Sequence, residues 1–181
     1  MASADPIARK QRRFWGIVGT VVVADAYTKM LAVDQLLPAQ LPRPVIGETL
    51  RLTLVYNTGA AFGLHLGAYS RWIFTALTIG ALVLLAHLYR TTRAGDALRT
   101  IALSLVCGGA VGNLVDRLKN VRGVVDFIDV GIGARRWPTF NVADMAVSCG
   151  AVLLAVVLWR EDVRAAASAA VANGHDAPVH G

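Results

Sequence analysis

Trp72–Tyr89 reads WIFTALTIGALVLLAHLY, eighteen residues between Arg71 and Arg90 without one Asp, Glu, Lys or Arg. A helix rises about 1.5 Å per residue, so this run crosses most of a hydrocarbon core about 30 Å thick. Three further apolar runs flank it. Phe14–Ala24 is interrupted by Asp25 and Lys29 and resumes at Met30–Val33. Thr100–Val115 lies between Arg99 and the pair Asp116-Arg117, and Met145–Trp159 between Asp144 and Arg160. The pattern predicts four helices, at about 14–33, 71–90, 98–117 and 141–160. The short link between the second and third makes those two antiparallel neighbours.

The composition agrees. Of the 181 residues, 55% are hydrophobic and 17% charged, with a mean hydropathy of +0.52. A soluble domain carries about 25% charged residues. A disordered chain is excluded and a water-soluble enzyme disfavoured. The net charge of +6 comes from cations that flank apolar runs and form no stripe, so no nucleic-acid partner is expected. Cys107 and Cys149 fall inside apolar segments and define neither a disulfide framework nor a metal-ligand spacing. The length suits one domain, 1–162, followed by an Ala-rich tail, 163–181, expected to fray after its first turns, with His175 and His180 solvated.

Orientation follows from the cations. Arg9, Lys10, Arg12 and Arg13 precede the first helix and belong in the cytoplasm. With Arg90, Arg93, Arg99, Arg160 and Arg164 they make nine basic residues inside, against eight outside. The first helix decides the near-tie, and both termini are cytoplasmic. A basic start, eleven apolar residues and Ala24-Asp25-Ala26 also resemble a cleavable signal peptide. The apolar pattern continuing past Lys29 reads instead as a retained helix.

In this orientation Asp144, Asp116 and Asp25 lie roughly 7, 5 and 12 Å below the outer boundary. Charged groups at such depth cost about 2.5–3.5 kcal/mol each unless paired or wetted, so three of them on one level point to a single polar cleft open to the outer face. Outside the helices, residues 34–70 contain three prolines and the alternating stretch Thr49–Tyr56 (TLRLTLVY), of strand type. Residues 118–139, with Gly123, Gly131, Gly133 and Pro138, read as loop. The fold class is all-α: four transmembrane helices with a small extracytoplasmic β-type segment.

Asp25 and Lys29 are four apart and share a helix face, most plainly as a structural ion pair. Asn113, Asp116 and Arg117 share another face, suited either to locking the third helix or to binding a ligand. Gly108, Gly109 and Gly112 on that helix permit close packing. Asp126 stands among large apolar side chains in Val124-Val125-Asp126-Phe127-Ile128, and Asp144 one turn beyond Asn141 at the mouth of the fourth helix. Two carboxylates at an apolar boundary can share a proton, one serving as base on a water while the other donates to a carbonyl. Asp129 reads as an ordinary solvated acid. There is no G-x-S-x-G, H-E-x-x-H, P-loop or dinucleotide fingerprint, and neither His65 nor His87 has a companion acid or Cys. Trp72, Trp137 and Trp159 stand where an aromatic belt would have them.

Five pieces taken together resemble the lipoprotein signal peptidase (signal peptidase II) family of bacterial inner-membrane aspartyl endopeptidases: Asp25-Ala-Tyr-Thr-Lys29, Asn57-Thr-Gly-Ala-Ala-Phe62, Gly112-Asn-Leu-Val-Asp-Arg117, Val124-Val-Asp-Phe127 and Phe140-Asn-Val-Ala-Asp144. They occur in the family's order over about residues 12–162. Met145 departs from it, standing where a small polar residue is common. The resemblance implies a monomeric enzyme without metal or cofactor, acting among membrane lipids on prolipoproteins that carry a diacylglyceryl group on a cysteine, and cutting just before that cysteine. It implies Asp126 and Asp144 as the catalytic dyad. Asn57, Gly59, Asn113, Arg117 and Asn141 would be substrate-binding or supporting, and Asp25, Lys29 and Asp116 structural. The surplus outer cations, Arg135 and Arg136 among them, are expected to meet anionic lipid headgroups. The alternatives are a small proton-coupled carrier using intramembrane acids as relays, which would need them spread through the membrane depth, and a membrane assembly factor without chemistry.

Overall fold

The computed structural model describes residues 5–59 and 67–175, the side chains at 68 and 169–175 excepted. Phe62, His65 and His180 lie outside the described residues, as does the side chain of His175. Helix α1 spans Pro6–Gln35, with Pro6 at its first turn and Asp5 as N-cap, its side chain accepting from the Ile7 amide at 3.0 Å. It starts eight residues before the apolar run because this cap, and not hydrophobicity, sets its beginning. Helices α2 (Ser70–Thr91) and α3 (Ala97–Lys119) come next, the latter capped by Asp96, and α4 spans Val142–His175. All four are long and apolar enough to cross a membrane. Helix α4 continues through the stretch expected to fray, as far as His175. Its Ala-rich sequence has high helix propensity and contains no breaker before Gly174.

Helix α3 is central and packs on the other three. Its glycines allow this. A Cβ at Gly108 would lie 2.9 Å from Val21 Cβ on α1, and one at Gly112 would lie 2.6 Å from Asp25 Oδ2. Two apolar clusters sit at opposite ends of α1. Phe14 and Val18 pack with Leu85 and Leu103 at one end; Ala32 and Leu36 pack with Leu54, Val125 and Phe127 at the other. Lys10, one of the cations placed on the cytoplasmic side, is buried. Its Nζ donates to the carbonyls of Tyr89 (2.7 Å) and Thr92 (2.6 Å), so α1 caps the end of α2.

The single β-type segment proves to be part of a four-stranded antiparallel sheet, β1 (Arg43–Ile46), β2 (Leu50–Asn57), β3 (Val124–Ile132) and β4 (Arg135–Arg136), in that spatial order. Residues 118–139 are therefore not all loop. Strand β3 (VVDFIDVGI) hides from an alternation test because most of it is covered on both faces, so the acids break the apolar run without marking a solvent side. Gly123 turns the chain from α3 into β3 at φ 103°, where the Asn57 carbonyl would collide with any Cβ.

Candidate active site

Strand β3 carries Asp126 opposite Val55 of β2, and Asn57 ends β2 beside it. The Asp126 side chain is buried, 2% exposed. Its Oδ1 accepts from Asn141 Nδ2 (2.6 Å) and its Oδ2 from Asn57 Nδ2 (3.1 Å), while Asn57 Oδ1 accepts from the Gly59 amide (3.0 Å). Asp144 approaches from α4. Asn141 precedes that helix, its Oδ1 accepting from the Asp144 amide (2.9 Å), and Asp144 Oδ2 accepts from the Asn141 amide (3.3 Å). This is a reciprocal capping box, and it sets the carboxylate against the positive end of the helix.

Asn113 of α3 closes the link between the two acids. Its Nδ2 donates to Asp144 Oδ1 (2.7 Å), and its Oδ1 accepts from Asn141 Nδ2 (3.2 Å) and from Lys29 Nζ (3.1 Å). Asn141, fully buried, thus touches both carboxylates at once.

Behind them lies a second layer. Lys29 Nζ is 2.8 Å from Asp25 Oδ2 and 2.8 Å from Asp116 Oδ2. Asp25 Oδ1 accepts from the amide of Ala143 (2.9 Å), and Asp116 Oδ2 from the amide of Val125 (3.1 Å). Each of these acids therefore holds the residue just before one member of the Asp126–Asp144 pair, and Lys29 ties the two holds together. Residues distant in sequence thus meet in one hydrogen-bonded network.

A cavity of about 900 Å³ opens on this constellation. Asn57, Asn113, Arg117, Asp126 and Asp144 form its polar side; Val55, Val124, Phe140, Met145 and Val147 are among its apolar walls. Arg117 donates only weakly, to the carbonyls of Asn113 (3.3 Å) and Gly59 (3.5 Å), and among the described residues it makes no ion pair. Trp137 stands in the cavity wall and not at a helix end. The sequence reading missed it as a site residue because nothing in its neighbours marks the fold-back of 137–140 onto β3.

Asp129 is no solvated acid. It is 4% exposed, with Arg51, Thr53 and Arg136 around it. Burial pushes its pKa up, but the donors from Arg136, Arg51 and Thr53 outweigh that and hold it below the ordinary carboxylate range. Arg136 is accordingly a structural partner here, not a free cation.

Burial, reinforced by the Asp144 charge, pushes the Asp126 carboxyl up to about 7, against the opposing donors of Asn57 and Asn141. Near neutrality part of the Asp126 population keeps its proton, which suits this carboxyl to acid–base work on a polarised carbonyl. The folded-state pKa lies above the ordinary 3.8, so Asp126 favours the fold fully below 3.8 and loses that contribution as pH rises through about 7. Asp126→Asn is accordingly expected to unfold at a higher temperature than the parent at pH 8, the gap closing toward pH 5. Thermal unfolding at the two pH values checks this.

A family model described as signal peptidase (SPase) II matches residues 17–160. A protein named lipoprotein signal peptidase in Burkholderia mallei (strain SAVP1) is 41% identical over 142 residues, 77% of this chain and 82% of that one. One of the same name in Mycobacterium avium (strain 104) is 41% identical over 161 residues, 86% of this chain and 84% of its own. Two solved structures described as a bacterial membrane enzyme superpose with TM-scores of 0.73 and 0.70 at 30% and 32% identity. They cover 82% and 80% of this chain and 88% and 91% of theirs.

Proposed function

The chain belongs to the signal peptidase II family, and we propose that it hydrolyses its substrates with an aspartyl dyad, Asp126 and Asp144. The family assignment makes it a multi-pass membrane peptidase that removes signal peptides from lipoproteins. The reading of the dyad is supported most by one observation: Asn141 hydrogen-bonds both acids at the polar side of a single cavity.

Asp144 takes a proton from a water, whose oxygen attacks the scissile carbonyl carbon, while protonated Asp126 donates to the carbonyl oxygen. Asp144 then passes that proton to the amide nitrogen, the C–N bond breaks to release the amine, and a hydroxyl of the intermediate returns a proton to Asp126 as the new carboxyl group forms. Arg117, with weak internal partners, offers donors to substrate carbonyls. Asn57, Gly59, Asn113 and Asn141 hold the acids and the cavity edge in place, and Asp25, Lys29 and Asp116 hold those elements in turn. The reaction calls on neither metal nor cofactor.

The substrates are prolipoproteins carrying a diacylglyceryl group, cut just before the modified cysteine. The cavity's mixed lining suits this: the polar side meets water and the peptide, while α4 continues as an apolar wall toward the acyl chains. Residues 1–162 form the peptidase domain, and α4 continues beyond it as far as His175. The enzyme sits as a monomer among the lipids of the bacterial inner membrane, both termini cytoplasmic and the dyad toward the extracytoplasmic face. The carrier reading lapses, because the family is one of peptidases and the acids gather on one level.

Purified full-length protein is expected to cleave a lipidated precursor and to leave the unlipidated one intact. The product chain should begin with the modified cysteine by mass spectrometry. Equal cleavage of both precursors, or a different new N-terminus, overturns the substrate assignment.

A further inference from the structure

Outside the dyad's network a second buried carboxylate anchors one wall of the cavity. Arg51 and Asp129 are directly opposed on β2 and β3. Asp129 Oδ2 accepts from Arg51 Nε (3.0 Å) and Nη2 (2.8 Å) and from Thr53 Oγ1 (3.0 Å), which leaves Oδ1 for Arg136 Nε at 2.8 Å. The Arg136 fork also reaches two carbonyls, that of Asp129 from Nη2 (3.0 Å) and that of Glu48 from Nη1 (2.6 Å). One guanidinium therefore clamps β4 to β3 and to the β1–β2 turn. Backbone contact is equally close: a Cβ at Gly131 would lie 2.7 Å from Arg136 Cα.

Immediately after Arg136 the chain forms the cavity wall, Trp137, Pro138, Thr139 and Phe140. The Trp137 amide donates to Val130 O (2.8 Å), and Phe140 exchanges hydrogen bonds with Ile128 (3.0 and 2.8 Å). Pro138 and Thr139 span the gap between these anchors. Trp137, 58% exposed, presents a large ring to whatever occupies the cavity.

We propose that Arg136, held by Asp129, is a positioning residue for the 137–140 wall and, through Trp137, sets how tightly the substrate binds. The proposal rests on the cavity being the substrate site. It separates binding from chemistry, because Asn141 is held by Asp126, Asn113 and Asp144 independently of Arg136. A planar fork with three separated acceptors is also a role that Lys cannot fill.

The test is steady-state cleavage of a lipidated precursor by full-length protein. Arg136→Ala should raise KM about ten-fold while kcat stays within about three-fold, the signature of lost binding and not of lost transition-state contact. Trp137→Ala should raise KM comparably, and the double variant should go no further than the worse single one, since the two act through one element. Arg136→Lys, which keeps one bond to Asp129, should fall between, and it carries the test if Arg136→Ala is not recovered folded. Additive KM effects, a fall in kcat at constant KM, or unchanged KM in Arg136→Lys and Arg136→Ala alike overturns the proposal. Cleavage surviving in Asp126→Asn or Asp144→Asn would instead strike the dyad, a separate outcome read on separate variants.

Discussion

Asp126→Asn and Asp144→Asn should each lower the cleavage rate by about 10⁴-fold, with both variants folded and membrane-inserted. Asn keeps the shape and the acceptor oxygen of Asp but can neither take a proton from water nor hand one to a carbonyl. At 126 the contact from Asn141 survives, because an amide oxygen can accept it as a carboxylate does. At 144 the capping box with Asn141 survives for the same reason. Loss of rate therefore reports chemistry and not collapse. The double variant should be no worse than either single one, since groups acting as a unit are not additive. Cleavage kinetics beside thermal unfolding of the same preparations decide the matter, and substantial turnover by either single variant removes the mechanism.

Lys29→Met carries the largest effect on stability. Lys29 is 4% exposed, and its ammonium stands between two carboxylates, with Asn113 as a third partner. Removing one partner of a buried ionic group costs about 3–5 kcal/mol, because the remaining charge is left uncompensated. Here two carboxylates would face each other across a gap of one side chain. The loss should be largely reversed by adding Asp25→Asn and Asp116→Asn, which remove the repulsion and keep acceptors for the Ala143 and Val125 amides. Thermal unfolding of the single and triple variants in one detergent measures both steps. A single variant as stable as the parent would mean that Lys29 does not hold the layer together.

Much of the architecture was legible in the chain. Eighteen uncharged residues from Trp72 to Tyr89 can only be a buried or lipid-covered helix, and three interrupted runs of similar length set the helix count. The i, i+4 spacing of Asp25 and Lys29 gave their pairing, and the glycines of α3 marked it as a closely packed helix without naming its partners. Other features were hidden for specific reasons. Lys10 looks like any other cation of a cytoplasmic flank until α1 is laid against the end of α2. Asp129 and Asp126 sit three residues apart in equally apolar surroundings. One is buried too, but two arginines and a threonine outweigh that and hold it low; the other is pushed up by burial, reinforced by the Asp144 charge. No local pattern distinguishes them.

The chain alone thus determined that four helices form, roughly where, and that polar groups collect at one end of them. Those properties depend on periodicity, length and the cost of placing charge in hydrocarbon, all of which act along the sequence. Only the tertiary structure decided that Asn141 would bridge Asp126 and Asp144, that β3 would pair with β2, and that Arg136 would reach Asp129. Those contacts join residues brought together by strand register and helix packing, and a hydrogen bond between separate elements depends on where its atoms meet in space, which spacing within one element does not encode.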